Sequence, residues 1–306
     1  MKKRSLNNIF IVSLLLVLLV FISGQDSGCG GSSTAQKNGI DFSLIPRQDT
    51  LQGGKILQLG ETFYVGVRVE NYDKIDRNVE ICIQDTVLDQ YGGITAAEAC
   101  QQQYLPAAEL IKKESSGAFS SSKEELVPGV KEVFFPQQGQ FAYKGLQKMN
   151  QAFRSDLIVT IKYPETTRAT TAVYIPVSEQ PALVQDPSQI MATMQKTIYP
   201  QGDAYKVSFD ITLTKNPGSQ IFLQDFVTGN QTYLEVRMAS QQLNCVTTNS
   251  VPIGNTLEIK DKKTIRCSTM IYQGAQRQDY DFVLTMIYGV VLQKTYSFSI
   301  NTAQEA

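Results

Sequence analysis

From residue 41 onward the chain consists largely of short segments in which apolar and polar residues alternate. The segment 62–69, TFYVGVRV, is rich in β-branched and aromatic residues, and turn-forming residues lie before it at 52–54 and after it at 71–73. An alternation with a period of two places successive side chains on opposite faces of a strand. Short strands separated by turns are typical of a β-sandwich, so the sequence predicts an all-β fold.

The predicted strands fall into two series, separated by a segment that contains Pro181 and Pro187. Prolines between two regular patterns are typical of a linker. We therefore predict two tandem immunoglobulin-like β-sandwiches, domain 1 at 39–180 and domain 2 at 181–306. The main predicted strands are 62–69, 79–83, 157–163 and 172–177 in the first series, and 205–213, 220–222, 233–238, 256–259, 264–271, 282–287 and 294–300 in the second.

The two halves of the chain resemble each other near their C-terminal ends. The segment 156–163, DLIVTIKY, aligns with 281–288, DFVLTMIY, and the residues that follow match at the same offset, as in Ile175 and Ile300. This similarity predicts that each domain closes with a hairpin whose first strand ends in tyrosine. The alternative is a coincidence between two β-rich segments.

The opening residues 60–62, Gly-Glu-Thr, the strand 63–69 that leads into Glu70 and Asn71, and the terminal hairpins carry a family resemblance. They resemble the immunoglobulin-like modules of prokaryotic surface proteins, in particular the adhesion-type modules called CARDB. The resemblance covers the strand framework of both domains. It implies sandwiches that act as spacers, binding modules or assembly modules, and it supplies no catalytic residues.

Residues 88–150 depart from this framework and form a predicted, partly helical insertion. Good helix formers predict a helix at 95–103, and Pro106 is suited to the first turn of a second short helix that ends at residue 113. Because loops on a rigid scaffold often carry function, we expect a partner contact here. The candidate anchors are Tyr91, Tyr104 and Phe119. The alternative is a cap that covers one edge of the sandwich.

The N-terminal segment 1–28 predicts export, as a signal peptide or a membrane anchor. Basic residues at positions 2–4 precede an uncharged and almost wholly apolar run at 9–22. This run has the length of a signal-peptide core and is shorter than the roughly 20 residues of a membrane-spanning helix. We therefore expect the rest of the chain to be extracytoplasmic.

The residues around Cys29 resemble a lipoprotein maturation site. The Gly28–Cys29 step fits such a site, whereas Asp26 stands where an apolar residue is usual. Cys29 is therefore a lipidation candidate, and residues 29–38 form a flexible tether by composition. An uncleaved helical anchor and simple cleavage near Gly24 are the alternatives. The first two possibilities hold the protein at the membrane through its N-terminus.

The other four cysteines form two local pairs, one in each predicted domain. They lie at positions 82 and 100 and at positions 245 and 267. Exported proteins retain disulfides, so we predict the bonds Cys82–Cys100 and Cys245–Cys267. Loops of this length stabilise a domain by about 3 kcal/mol in the chain-entropy description. The alternative is that all five cysteines are free thiols.

Composition excludes several classes of function. The chain contains no histidine, which excludes a Ser-His-Asp or Cys-His nucleophile and any metal centre that contains histidine. The 28 basic and 29 acidic residues give a net charge of −1, which argues against a nucleic-acid-binding face. A glycosidase needs two selected carboxylates, and nothing singles out two among the 29 acidic residues. We predict no catalysis and no cofactor.

Two further polar segments have an ordinary and a functional interpretation. Residues 71–78 cluster oxygen ligands that suit calcium, but Lys74 and Arg77 interrupt the cluster, which favours an ordinary turn. Asn230 begins an Asn-Gln-Thr sequon in a predicted turn and is a glycosylation candidate.

These features lead to one expected function and two alternatives. We expect a non-catalytic, membrane-tethered adhesion, scaffold or assembly protein with a protein partner at the cell surface. The first alternative is carbohydrate or peptide binding by the insertion 88–150. The second is a carboxylate-based hydrolase.

Overall fold

The structure is a computed structural model that describes residues 39–95, 99–114, 122–146, 152–175, 180–272 and 278–302. Within these ranges the regular structure is β-strand, apart from a 3-10 turn at Asp89–Tyr91. The strands lie in antiparallel sheets, with one short parallel pairing. The predicted all-β sandwich fold is confirmed.

The first half of the chain contains the strands β1 (Ile40–Leu44), β2 (Ile56–Gln58), β3 (Thr62–Phe63), β4 (Val65–Asn71), β5 (Arg77–Asp85), β6 (Cys100–Leu105), β7 (Glu109–Glu114), β8 (Ser122–Val127), β9 (Gly129–Phe135), β10 (Phe141–Ala142) and β11 (Phe153–Ile175). The second half contains β12 (Val184–Gln185), β13 (Ile190–Gln201), β14 (Ala204–Lys215), β15 (Gln220–Phe222), β16 (Gln231–Met238), β17 (Gln241–Gln242), β18 (Cys245–Thr247), β19 (Thr256–Glu258), β20 (Lys262–Tyr272) and β21 (Gln278–Asn301).

Two long strands, β11 and β21, run through the centre of the largest sheet. They pair antiparallel along their whole length, from Phe153 opposite Ile300 to Ile175 opposite Gln278. The strand order in this sheet is β17-β16-β21-β11-β5-β6. Strands from both halves of the chain therefore belong to one sheet.

Each long strand pairs with shorter strands from both halves of the chain. The early part of β11 pairs with β5 and its later part pairs with β12. The early part of β21 pairs with β16, and its end pairs with β2, from the first half of the chain. The C-terminal strand thus returns to complete the sheet of the first half.

This arrangement corrects the predicted terminal hairpins. Segments 157–163 and 172–175 belong to one continuous strand, and so do 282–287 and 294–300. In β11 the alternation of buried and less buried residues continues past Tyr163, with Glu165 buried in the same series. Because the period of two continues without a break from Ser155 to Ala169, one face of the strand stays buried through the expected turn.

Two further sheets complete the sandwich. The sheet β1-β4-β9 belongs to the first half, and the sheet β13-β14-β20-β18 belongs to the second.

Aromatic side chains pack in the core of each half. In the first half the ring of Tyr143 stacks on those of Phe63 and Phe298, with centroid distances of 5.4 and 6.1 Å. In the second half Phe209 and Phe282 lie 4.6 Å apart. Phe298 comes from β21, so the C-terminal strand also supplies core to the first half.

Residues on both sides of the boundary predicted near position 180 belong to one compact unit, Asn38–Ala306. The buried apolar residues of the two halves form a continuous cluster. The halves are interlocked by β11 and β21, whereas the predicted boundary near position 180 separates two tandem sandwiches.

The helices predicted in the insertion 88–150 are wrong for the residues that the structure describes. Residues 100–105 form β6, which pairs with β5, and residues 109–114 form β7, which pairs with β8. Intrinsic helix propensity is a weak preference, and pairing with a neighbouring strand overrides it here. The insertion is an extension of the β-framework.

Candidate functional site

Both predicted disulfides are confirmed. Cys82 and Cys100 lie directly opposite each other on β5 and β6, and Cys245 and Cys267 lie opposite each other on β18 and β20. Each bond therefore braces a pair of neighbouring strands. Two disulfides in one chain indicate an oxidising, extracytoplasmic environment.

The other predicted modification sites remain predictions. Cys29, the lipidation candidate, lies outside the described residues, and so does Phe119, one of the three predicted partner-binding residues. Asn230 is half-buried, has a φ of 57°, and its side-chain oxygen accepts a hydrogen bond from Lys215 Nζ at 3.2 Å. The hydroxyl of Thr232, the third sequon residue, donates to backbone carbonyls. In the part of the chain that the structure describes, no helix has the length and apolar character required to cross a membrane.

The two described tyrosine candidates have different environments. Tyr91 lies in the 3-10 turn, packs against the core, and its carbonyl accepts from the amide of Lys144 at 2.9 Å. Tyr104 is 57% exposed on β6. Its hydroxyl bonds to the carboxylate of Asp76, which raises the pKa of the tyrosine and also accepts from the amide of Ala107. Of the two, Tyr104 is the more exposed, because Tyr91 is partly buried.

Next to Tyr104 lies a two-stranded hairpin, formed by β7 and β8, which we call the arm. Among the described residues, β7 and β8 pair with each other and with no third strand. The outer edge of β7 therefore pairs with no other strand in the part of the chain that the structure describes. An isolated two-stranded hairpin is only marginally stable in water, so the arm gains stability from any strand or surface that covers it.

The arm exposes apolar side chains on both of its faces. Leu110 is 55% exposed on one face, and Ile111 is 43% exposed on the other. Val127 and Val130, at the base of the arm and on the following strand, are exposed as well. No described residue of β7 or β8 belongs to the buried core, so these exposed apolar side chains are available to a partner. The arm is the candidate site for a partner.

A second polar site lies where β11 and β21 pass from the first half of the sandwich to the second. Arg77 and Asp73 form an ion pair there, with Nη2 and Oδ2 at 2.8 Å, and both side chains are largely buried. Arg77 Nη1 also donates to the carbonyl of Pro164 at 3.3 Å, and the guanidinium lies 5.3 Å from the centre of the Tyr163 ring. Arg77 Nε is buried and has no hydrogen-bond partner among the described residues. We call these residues, together with Glu165 and Tyr288, the junction cluster.

Glu165 is the second acid of the junction cluster. Burial raises the pKa of its carboxyl group, while the positive charge of Arg77 opposes this effect. The hydroxyl of Tyr288 and the backbone amide of Gln189 donate to the carboxylate. The Tyr288 hydroxyl also lies 3.1 Å from that of Thr167, and burial raises the pKa of Tyr288. The hydrogen bonds of Glu165 thus connect both long strands to the segment that precedes β13.

A cavity of about 230 Å³ opens beside the junction cluster. Across the described ranges, no group of three or more cysteines and carboxylates is arranged to hold a metal ion. The Asp73 carboxylate is already engaged by Arg77 and by the amide of Gly39, so we assign the junction cluster a structural role. The cavity is lined by Gly39, Asp73, Glu165, Pro187, Ser188, Gln189, Met191 and Asn216.

The variant Glu165→Gln tests the electrostatics of the junction cluster. A raised pKa means that the folded state favours the protonated acid, so the contribution of Glu165 to stability is greatest below its ordinary pKa of 4.5. That contribution is lost as the pH rises through the pKa of the folded state. We expect the free energy of unfolding of the wild type, relative to Glu165→Gln, to decrease between pH 4 and pH 8.

Denaturant unfolding followed by circular dichroism at several pH values measures this difference. The control is Glu258→Gln, because Glu258 is exposed on β19. A stability difference between wild type and Glu165→Gln that stays constant over this pH range would contradict the raised pKa.

Comparison with known proteins identifies no family for this chain. No protein-family model matches it, and no curated protein matches it. One solved structure with partial similarity is the envelope protein VP37 from White Spot Syndrome Virus, with 9% sequence identity and a TM-score of 0.21. The match covers 42% of this chain and 98% of the viral protein. A similarity this low supports no conclusion about fold or function.

Proposed function

We propose that this chain is a non-catalytic scaffold or assembly protein of the cell surface, held at the membrane through its N-terminal segment, and that the arm binds a protein partner. The observation that carries the proposal is the arm itself, whose strands pair with no third strand among the described residues and which exposes apolar residues on both faces. Extended backbone with alternating side chains is a common recognition surface for another strand.

The framework that carries the arm suits this role. The disulfide Cys82–Cys100 joins β5 to β6, the strand that precedes the arm. After the arm the chain enters β9, which pairs with β4 along its whole length. Both ends of the arm therefore join strands that are fixed by pairing. A rigid base reduces the entropy that is lost when a partner binds.

A photo-crosslinking side chain at Leu110 tests the proposal in the full-length protein in its native envelope. We expect a covalent adduct with a protein, because Leu110 lies on an exposed face of the arm. The matched control carries the same group at Val227, which is 80% exposed in the second half of the chain and distant in sequence from the arm. We expect no discrete adduct from the control.

The absence of any protein adduct at Leu110, or the same adducts at both positions, would contradict a partner at the arm. A second protein, with the crosslinker at Ile111 and the change Val127→Lys on the same face of the arm, checks the specificity of the contact. A charge on the exposed apolar face is expected to abolish the adduct while the circular dichroism spectrum stays unchanged.

A further inference from the structure

We infer that the partner of the arm is a second copy of this chain, and that the two β7 strands pair antiparallel to form a four-stranded sheet. This inference rests on the proposed function and names the occupant of its binding site. The free outer edge of β7 provides the backbone donors and acceptors for this pairing. Independent stability of a sheet requires three or more strands with an apolar face, and a four-stranded sheet meets this number whereas a two-stranded hairpin does not.

The sequence of β7 fits pairing with itself. A two-fold axis through an antiparallel strand pair places one residue opposite its own copy. When that residue is Ile111, position 109 of each copy lies opposite position 113 of the other copy, so the same pair occurs on both sides of the axis. The sequence of 109–113 is Glu-Leu-Ile-Lys-Lys, so position 109 is acidic and position 113 is basic. Opposite charges in directly paired positions stabilise a strand pair, and like charges destabilise it.

The same register covers the exposed apolar residues. Ile111 lies opposite its own copy on one face of the sheet. Val127 lies on the same face, because it is opposite Glu109, which shares that face with Ile111. On the other face, Leu110 lies opposite position 112, and the aliphatic part of a lysine covers apolar surface while its charge remains in water. Both apolar faces of the arm are therefore partly covered by a single pairing.

The β8 edge fits self-pairing less well. An axis through Glu124 or Glu125 places that glutamate opposite its own copy, which is repulsive. An axis through Leu126 places Glu125 opposite Val127 and provides no attractive charge pair. In addition, Glu124 already pairs with Lys112 across the hairpin at 3.9 Å. The charges therefore select the β7 edge.

Sedimentation equilibrium of the purified full-length protein over a concentration series tests the dimer. We expect the wild type to dimerise reversibly and Glu109→Lys to weaken the dimer by about tenfold or more, because it creates two like-charge pairs. The double variant Glu109→Lys/Lys113→Glu restores both pairs with reversed sign, and we expect it to recover the wild-type dissociation constant. Glu109 lies on the exposed arm, so circular dichroism should show an unchanged fold in each variant.

A cysteine at the axis tests the register. In a Cys29→Ser background, Ile111→Cys is expected to form a covalent dimer under mild oxidation, whereas Glu109→Cys, which faces position 113, is not. A wild type that stays monomeric at all concentrations, failure of the charge swap to restore the dimer, or equal crosslinking at both positions would overturn the inference.

These results separate the two proposals. A Leu110 adduct with a different protein, together with a monomer in solution, overturns the inferred dimer and leaves the proposed function standing. The absence of any Leu110 adduct overturns the proposed function. A Leu110 adduct with a second copy supports both.

Discussion

Replacing Arg77 with methionine is expected to lower the free energy of unfolding by about 3–5 kcal/mol, because it leaves buried carboxylates without their positive partner. Arg77 pairs with Asp73 at 2.8 Å and its charge also opposes the raised pKa of Glu165. Methionine retains an apolar side chain that can lie over the Tyr163 ring, so the loss measures mainly the charge and its hydrogen bonds. Guanidinium unfolding followed by circular dichroism at pH 7 gives this quantity.

The matched control is Arg68→Met. Arg68 forms an exposed ion pair with Glu70 at 3.0 Å, and such pairs contribute about 0–1 kcal/mol. In the double variant Arg77→Met/Glu165→Gln, the second change removes one of the unpaired charges. We therefore expect the combined loss to be smaller than the sum of the two separate changes. A loss for Arg77→Met no larger than that for Arg68→Met would contradict the buried ion pair.

The strand pattern and the cysteine pairs could be predicted from the sequence. The alternation at 205–213 and at 264–271 corresponds to the cores of β14 and β20, and the predicted strand 220–222 coincides with β15. These segments have one buried and one exposed face, so a period of two appears directly in the residue types. The two cysteine pairs follow from local spacing and export, and both bonds form.

The sequence did not reveal how the long strands pair. The repeat of a strand that ends in tyrosine, Tyr163 or Tyr288, followed by a second matching β-rich segment favoured a hairpin in each half. In the structure Pro164 lies opposite Gly289 inside the pair of long strands. It lies beyond residues 157–162, the part of β11 that pairs with β5. Proline is tolerated in a strand where one side lacks a ladder partner. The matched segments 156–163 and 281–288 belong to two neighbouring strands, a pairing that a sequence repeat alone does not show.

The candidate site could be predicted in its location but not in its form. The insertion was expected to carry the partner contact, and the arm lies within it, but local propensity favoured helices at 95–103 and 106–113. The junction cluster depends on a contact between Arg77 and the Pro164 carbonyl, 87 positions apart in the sequence. Segment 71–78 was interpreted as a turn from its own residues, and nothing in that segment indicates a partner so far along the chain.

Dividing the chain at the predicted boundary near position 180 is expected to prevent both halves from folding. A fragment of residues 39–180 lacks β21, and therefore lacks Phe298 and Ile300 from its core and the neighbour of β11 along its whole length. The complementary fragment 181–302 lacks β11, which covers the other edge of β21. Each fragment exposes buried apolar strand residues to water, so we expect neither to fold alone.

Mixing the two fragments provides the control, because the mixture contains every strand of the described residues and both disulfides, and it differs from an uncut chain of residues 39–302 by one missing peptide bond. We expect the mixture to form a one-to-one complex with the strand content of the whole protein.

Cooperative unfolding of each fragment, measured by circular dichroism in denaturant, tests most directly whether β11 and β21 join the two halves into one framework. The structure predicts no cooperative transition for 39–180 or 181–302 alone, and one transition for their mixture. Two fragments that each unfold cooperatively on their own, and that do not associate when mixed, would contradict it.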